Sequence, residues 1–370
     1  MGIESLEKPP HSKEIEFTLF GPGFGESGVI HLGNNNWVII DSCIDNKSGE
    51  PAALVYLRKI GVRPEEAVKL IVATHWHDDH VRGLTELVTI CKEAEFCCSS
   101  AYTKEEFLAY IASYNSNNKL VGGSGAEELF STMKVLERTK TRKRLATENK
   151  KIYVLESKDT DHGHACEIWT LSPSDMQIET SLKEIAQLIP KALKPKKRAV
   201  NKPNHASVVV WVQIGSISVL WGADMEENPN KGWSVIVESK LRPQGKAAIY
   251  KIAHHGSENA HHDKVWEAML IGAPFAILAP YNRTPLPKET DRDRICALSK
   301  NAFSTAKLKS KKSPKRPQMV EKMIEQTVKS ISCSEPPTGA VRLRNSDFKN
   351  VGTWSVELLN TACHLSDIYT

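Results

Sequence analysis

The sequence predicts an α/β layered fold, and three observations carry that reading. Short apolar runs rich in Val, Ile and Trp alternate along the chain with amphipathic stretches, the succession expected of sheets covered by helices. His and Asp residues gather where those runs end and not inside them. No repeat at solenoid periods and no convincing break interrupts the pattern, so residues 1–370 are expected to form one domain.

Taken in order, "IEFTLFGPGFGESGVIHLGNNNWVIIDSCID" (15–45) reads as three strands separated by the turns "GPGFG" and "GNNN". "SGEPAALVYLRKIGV" (48–62) is a helix that starts after Pro51 and stops at Gly61. "KLIVATH" is a strand, and "VRGLTELVTICKEA" a helix. "KIYVLE" and "HACEIWTLSP" are strands, and "SVVVWVQIGSISVLWGAD" (207–224) is a hairpin turning at Gly215–Ser216. The helix "NKGWSVIVESKL", the strand "AAIYKIAHHGS", the helix "DKVWEAML" and the strand "PFAILAP" follow, and "GAVRLRN" and "TWSVELL" close the fold. Insertions are expected at about 104–150, 179–203 and 304–338, where the composition turns polar or basic.

A hydrophobic content of 40% and a charged content of 25% are ordinary for a globular protein. The polar start "MGIESLEKPPHSKE" has no apolar core of a signal peptide, and no run approaches the roughly 20 residues of a membrane span. The eight cysteines form no CxxC pair, so reduced structural thiols in a cytoplasmic protein are expected. The net charge of +5 is concentrated in three basic islands, 138–151, 190–203 and 307–318. Together they lean towards a polyanionic partner, with Lys196, Lys197 and Arg198 as candidate nucleic-acid contacts and no membrane partner.

The chemistry is concentrated in "THWHDDH". His75 and His77 alternate with Trp76, so an extended backbone sends both imidazoles to one side. Asp79 and His80 follow as the chain turns into a helix and can face a second point a few ångströms away. A buried strand could not hold such a cluster unpaired, whereas two metal ions with mixed nitrogen and oxygen ligands would explain it. Asp224 follows "SVLWGA" and could bridge two cations, His254 and His255 end "AAIYKIA", and Asp41 ends "WVII". His162, His164, His261 and His262 read as surface histidines, Trp76 as packing, and Asp78 as dispensable to the motif. The "GPGFG" glycines are turn residues, because no GK[ST] follows them.

His-x-His-x-Asp-His after a strand, an Asp closing a hairpin, and a later strand ending in "HHGS" resemble the metallo-β-lactamase superfamily over residues 15–345. "GPGFGES", "NHASVVVWV", "GAD", "IAHHGS" and "YNRTPLP" look like the branch that holds the nuclease-like domain of ComEC-type DNA-uptake channels and the phosphorylcholine esterases. The resemblance implies an αββα sandwich with two divalent metal ions at one edge of its sheets. His75 and His77 would hold metal one; Asp79, His80 and His255 metal two; Asp224 would bridge. His254 would contact a substrate phosphate, although the family's single ligand could align to either His254 or His255, and Asp41 would orient a ligand imidazole.

Most members carry a histidine as the third ligand of metal one; here "SPSD" puts Asp175 at that turn, with His164 and His205 as fallbacks. A carboxylate there favours Mn²⁺ over Zn²⁺. The function expected is a two-metal hydrolase cutting phosphodiesters, a nuclease on DNA or RNA, with Asp79 and His254 closest to the reaction. Hydrolysis of a small ester (a cyclic nucleotide, a phosphorylcholine-like ester or a lactone) and a catalytically silent nucleic-acid-binding scaffold are the alternatives.

Overall fold

The structure, a computed structural model, describes residues 8–103, 125–188, 203–308, 336–346 and 353–369, with a few single positions between them. Two eight-stranded sheets are stacked face to face. The first follows the order β17-β16-β1-β2-β3-β4-β5-β6, where β1 is Ile15–Gly21, β2 Ser27–His31, β3 Trp37–Ile40, β4 Val68–Ala73, β5 Glu95–Ser99, β6 Lys143–Ala146, β16 Gly339–Asn345 and β17 Ser355–Leu359. The second follows the order β18-β15-β14-β13-β10-β9-β8-β7. Here β7 is Lys150–Leu155, β8 Cys166–Thr170, β9 Val210–Ile214, β10 Ile217–Trp221, β13 Ala247–Lys251, β14 Leu270–Leu278, β15 Ala302–Ser304 and β18 Cys363–His364. A two-stranded ribbon, β11 (Glu227–Asn228) and β12 (Lys231–Gly232), lies apart.

Alternation along the strands builds three apolar layers. Leu70 and Val72 of β4, Val210 and Val212 of β9, and Ile249 of β13 face inwards and fill the space between the sheets. Ile71 and Ala73 face the helices Ala52–Lys59, Leu84–Ile90 and Gly125–Arg138. Trp211, Leu220 and Tyr250 face the opposite helical layer, which includes Trp233 and Ile295. The result is two mixed sheets flanked by helices, consistent with the expected αββα sandwich. Gly28 lets the sheets approach, because a Cβ there would lie 2.4 Å from Cη2 of Trp221.

The first sheet is antiparallel on one side and parallel on the other, and the second has a parallel block flanked by antiparallel strands. β3, β4, β5 and β6 run parallel, as do β10, β13, β14 and β15. The carboxyl ends of β3, β4, β10 and β13 therefore emerge at one edge of the sandwich, where loops are free to carry chemistry.

Of the three expected insertions, the first supplies the helix Gly125–Arg138 and the edge strand β6. Residues 108–124 and 189–202 lie outside the described residues, as do most of 309–335. Seven cysteines are free thiols among the described residues, six of them buried, as structural thiols require. No helix of the described residues is long and apolar enough to cross a membrane.

His31 gives the fold a pH signature. Its Nδ1–H donates to the carbonyl of Glu14 at 2.7 Å, and its Nε2 accepts the N–H of Asn35 at 3.0 Å. Both nitrogens are committed to the neutral ring, and burial pushes the imidazole pKa down to about 4. Between pH 6.5 and 4 the unfolded chain therefore binds a proton that the folded chain refuses, so stability falls as pH falls through that window. The expected loss is about 3 kcal/mol once both limits are passed. Urea unfolding from about pH 7.5 to 4 should show a shallower dependence on pH in His31→Gln than in the wild type; equal slopes would refute the assignment.

Candidate metal centre

Asp41, at the end of β3, organises the edge. Its Oδ1 accepts the N–H of Thr74 at 2.8 Å, and its Oδ2 accepts the Thr74 hydroxyl at 2.8 Å and Nδ1–H of His80 at 2.9 Å. Thr74 has one hydroxyl proton and gives it to Asp41, so its oxygen must accept from Nδ1 of His75, 3.0 Å away. On the other sheet, Nδ1 of His255 donates to the carbonyl of Ala279 at 2.9 Å. Three imidazoles thus have their Nδ1 protons fixed by hydrogen bonds, and each turns Nε2 towards one point.

Two carboxylates meet those nitrogens. Asp224 Oδ1 lies 3.4 Å from His80 Nε2, and its Oδ2 lies 3.8 Å from both His75 Nε2 and His255 Nε2. Asp79 Oδ2 is 3.2 Å from His255 Nε2 and 3.6 Å from His80 Nε2. His77 Nδ1 lies 3.1 Å from His75 Nε2. Two ligands on one tetrahedral ion, each about 2.1 Å from it, stand about 3.4 Å apart, the spacing these atoms adopt. His75, His77 and Asp224 form one set of candidate ligands, and Asp79, His80 and His255 another. His80 Nε2 and Asp224 Oδ1 are buried and make no hydrogen bond, a costly arrangement that a cation between them removes. The donor set fits divalent metal ions.

The electrostatics agree. Burial alone would lower His80, but Asp224, Asp79, Glu26 and Asp41 together hold its pKa well above the usual imidazole range. Burial would likewise raise Asp79, yet His80 and His255 keep its carboxyl below the usual carboxylate range. His75 is pushed down by burial and by the neighbouring His80, and stays neutral.

The turns that deliver these groups are strained. Asp41 (φ 59°), Ala223 (φ 47°), His254 (φ 46°) and His255 (φ 53°) occupy the left-handed region without being glycine, at a cost of about 1–2 kcal/mol each. Gly222 permits the close approach beneath them: a Cβ there would lie 2.9 Å from both the Ala253 Cβ and the Lys251 carbonyl.

Other expected site residues separate into three groups. His254 stands at the rim with 20% of its side chain exposed, its Nε2 4.0 Å from Asp224 Oδ2 and its Nδ1 3.5 Å from Glu226 Oε1. Asp175 is a correction: it is exposed and joins none of the ligand clusters. "SPSDMQ" is a helix start, in which Ser174 caps Asp175–Leu188 and exchanges hydrogen bonds with Gln177 (2.8 and 3.4 Å). That capping box points the Asp175 carboxylate into water at the first helical turn, where the helix dipole favours it. The fallback His164 is exposed beside Gly215, at the end of the β9–β10 hairpin opposite Asp224. His205 falls in the short helix Pro203–Ala206, and its side chain lies outside the described residues, as do Lys196, Lys197 and Arg198. His162 bonds to the carbonyl of Leu32, His261 to Asp263 and His262 to Ser234, none of them at the centre. Trp76 packs against Phe107, and Asp78 accepts the N–H of Gly125 at the start of Gly125–Arg138.

Sequence reasoning missed Glu26 and Lys251. Lys251 ends β13 on the face of Ile249, between the sheets, where it forms an ion pair with Glu26; both are fully buried. Lys251 Nζ also donates to the carbonyl of Ala223 at 2.9 Å, bracing the turn before Asp224. Glu26 in turn lies 3.5 Å from His80 Nδ1 and 3.8 Å from His255 Nδ1. A lone Lys inside the apolar run "AAIYKIA" was the available signal, since a buried ammonium requires a partner.

A family model described as the Metallo-beta-lactamase superfamily matches residues 20–115, a span that holds Asp41 and the whole His75–His80 cluster. No curated protein matches the sequence. Among solved structures, the metallo-beta-lactamase fold protein YhfI from Bacillus subtilis is 12% identical, with 78% of this chain and 95% of that chain covered and a TM-score of 0.36. The short form of human tRNase Z is 11% identical over 77% of this chain and 89% of that one, with a TM-score of 0.35. AidC, a dizinc quorum-quenching lactonase, is 14% identical over 54% and 55%, with a TM-score of 0.30. Likenesses of this size bear on no substrate.

Removing one member of the buried ion pair leaves the other uncompensated. Lys251→Met is expected to destabilise the fold by about 3–5 kcal/mol, and Glu26→Gln combined with Lys251→Met to recover most of that loss. Urea unfolding of the wild type, both single variants and the double variant checks this, and additive losses in the double variant would contradict it.

Proposed function

We propose that the chain is a two-metal hydrolase of phosphodiesters, with nucleic acid as the substrate. The observation that carries the hydrolase reading is the convergence of three Nδ1-anchored imidazoles on Asp79 and Asp224. His75, His77 and Asp224 would hold one ion, and Asp79, His80 and His255 the other. When bound, such ions polarise the phosphoryl group and acidify the attacking water. Asp41 and Thr74 keep the imidazoles in register throughout, and Asp79 is read as the carboxylate that would take the proton of that water. His254, half-buried at the rim, is placed to donate a hydrogen bond to a non-bridging phosphate oxygen or to the leaving group.

Nucleic acid is favoured among phosphodiesters by the three basic islands and the net charge of +5. The metal is read as zinc. The preference for manganese rested on Asp175, and the two clusters instead offer four imidazoles and two carboxylates, a nitrogen-rich set that suits Zn²⁺.

Asp79→Ala and His77→Ala should each abolish hydrolysis and reduce bound metal while leaving the circular dichroism spectrum unchanged, because neither side chain belongs to an apolar layer. Wild-type turnover at full metal content in either variant would sink the site assignment. Apo-protein should regain most activity with Zn²⁺; stronger recovery with Mn²⁺ would overturn the zinc reading. Cleavage of lactones but no diester would replace the substrate class.

Charge reversal at Lys196, Lys197 and Arg198 to Glu should weaken oligonucleotide binding equally across sequences. The slope of log affinity against log salt should also shrink, by about 1 for each phosphate no longer neutralised. An unchanged slope would leave that island as solvated surface.

A further inference from the structure

Beside the metal centre, two loops are locked together. The N–H of Asn282 donates to the carbonyl of Gly23 at 2.9 Å, and the N–H of Glu26 donates to that of Asp79 at 2.8 Å. A Cβ on Gly23 would lie 2.2 Å from the Asn282 side chain, so the loops touch without room to spare. Between them runs a ladder of rings. His255 stacks on Tyr281 (5.1 Å, 28°), and Tyr281 meets Phe24 (5.7 Å). At the outer end Arg283 lies over the Phe24 ring at 3.6 Å, with Arg82 5.8 Å from the same centroid. Both arginines are exposed and Phe24 is half-buried. Among the described residues, no carboxylate forms an ion pair with either guanidinium.

Arg82 reaches this place from the other direction. It follows the helix Asp78–Val81, which carries Asp79 and His80, and its carbonyl accepts the hydroxyl of Ser42 at 2.7 Å. The backbone under Phe24 is thus tied to the segment that carries Asp79 and His80, and the backbone beside Arg283 is tied to that of Gly23. The position of the Arg82–Phe24–Arg283 group relative to the reacting phosphate is set by the fold.

From this we infer a subsite for a second phosphate of the substrate backbone, formed by Arg82 and Arg283, which both approach the Phe24 ring. The inference rests on the phosphodiesterase reading and narrows it. The preferred substrate carries a second phosphate along its backbone, as an oligonucleotide does and a phosphorylcholine-like ester does not. Guanidinium groups bind phosphate in a forked, charge-assisted geometry. The Phe24 ring limits the conformations of Arg283, so less freedom is lost when a phosphate binds.

Two measurements test the subsite. Turnover of bis(4-nitrophenyl) phosphate, a diester with no second phosphate, is compared with that of a single-stranded decanucleotide in wild type, Arg82→Ala, Arg283→Ala and the double variant. The double variant should lose at least about tenfold more kcat/KM on the decanucleotide than on the small diester, the effect of removing a charge-assisted hydrogen bond. Separately, anisotropy of the labelled decanucleotide on chelator-treated protein should show a weaker Kd and a salt slope reduced by about 1–2 in the double variant. Equal losses on both substrates, or unchanged binding and slope, would overturn the subsite. If the wild type cleaves neither diester, the phosphodiesterase reading fails on that result, and the binding measurement still decides whether the two arginines hold a phosphate backbone.

Discussion

Four carboxylates are buried within one edge of the sandwich, and the cost of holding them there governs what surrounds them. Asp41 meets three hydrogen-bond donors, and Glu26 meets the ammonium of Lys251. Asp79 and Asp224 face chiefly imidazole nitrogens, with the Lys251 ammonium no nearer to Asp224 than 4.0 Å. Unpaired negative charge at this depth is strongly unfavourable. Positive charge must come from protons on His80 and His255 or from bound cations. The raised affinity of these two rings for protons is the same field that would attract a divalent ion.

The backbone shares that cost. Left-handed conformations at Asp41, Ala223, His254 and His255 reverse the chain just past the ends of β3, β10 and β13. Such strain persists only where surrounding bonds over-determine it. Here the Ala223 carbonyl accepts from both the Lys251 ammonium and the His254 N–H, and the Asp41 N–H is held by the carbonyl of Val72. Strain, hydrogen bonds and buried charge form one arrangement, so disturbing any member shifts the others.

Much of this was legible beforehand because local signals are strong where period and residue type agree. The strands at 15–45, the 207–224 hairpin and the His75–His80 cluster announce themselves through alternation and through residues that no buried strand tolerates alone. Asp175 shows the limit of such reading: a carboxylate after a strand is a ligand in one local context and the first residue of a capped helix in another, and Gln177 decides between them. Glu26 and Lys251 lie 225 positions apart in sequence and acquire meaning only when two sheets are stacked. The return of β16 to pair with β1, after seven strands of the second sheet, likewise leaves no local mark.

That stacking has a consequence for how the chain tolerates change. Asp41, His75, His77, Asp79 and His80 follow strands of the first sheet, whereas Asp224 and His255 follow strands of the second. A cation held by both sets is a cross-link between the sheets, and a ligand that binds only the assembled state adds stability in proportion to the logarithm of its free concentration. Metal supply would then act as a reserve against mutation. Interior substitutions harmless in a metal-replete cell would become limiting in a starved one, although none of them touches the edge where the candidate ligands sit.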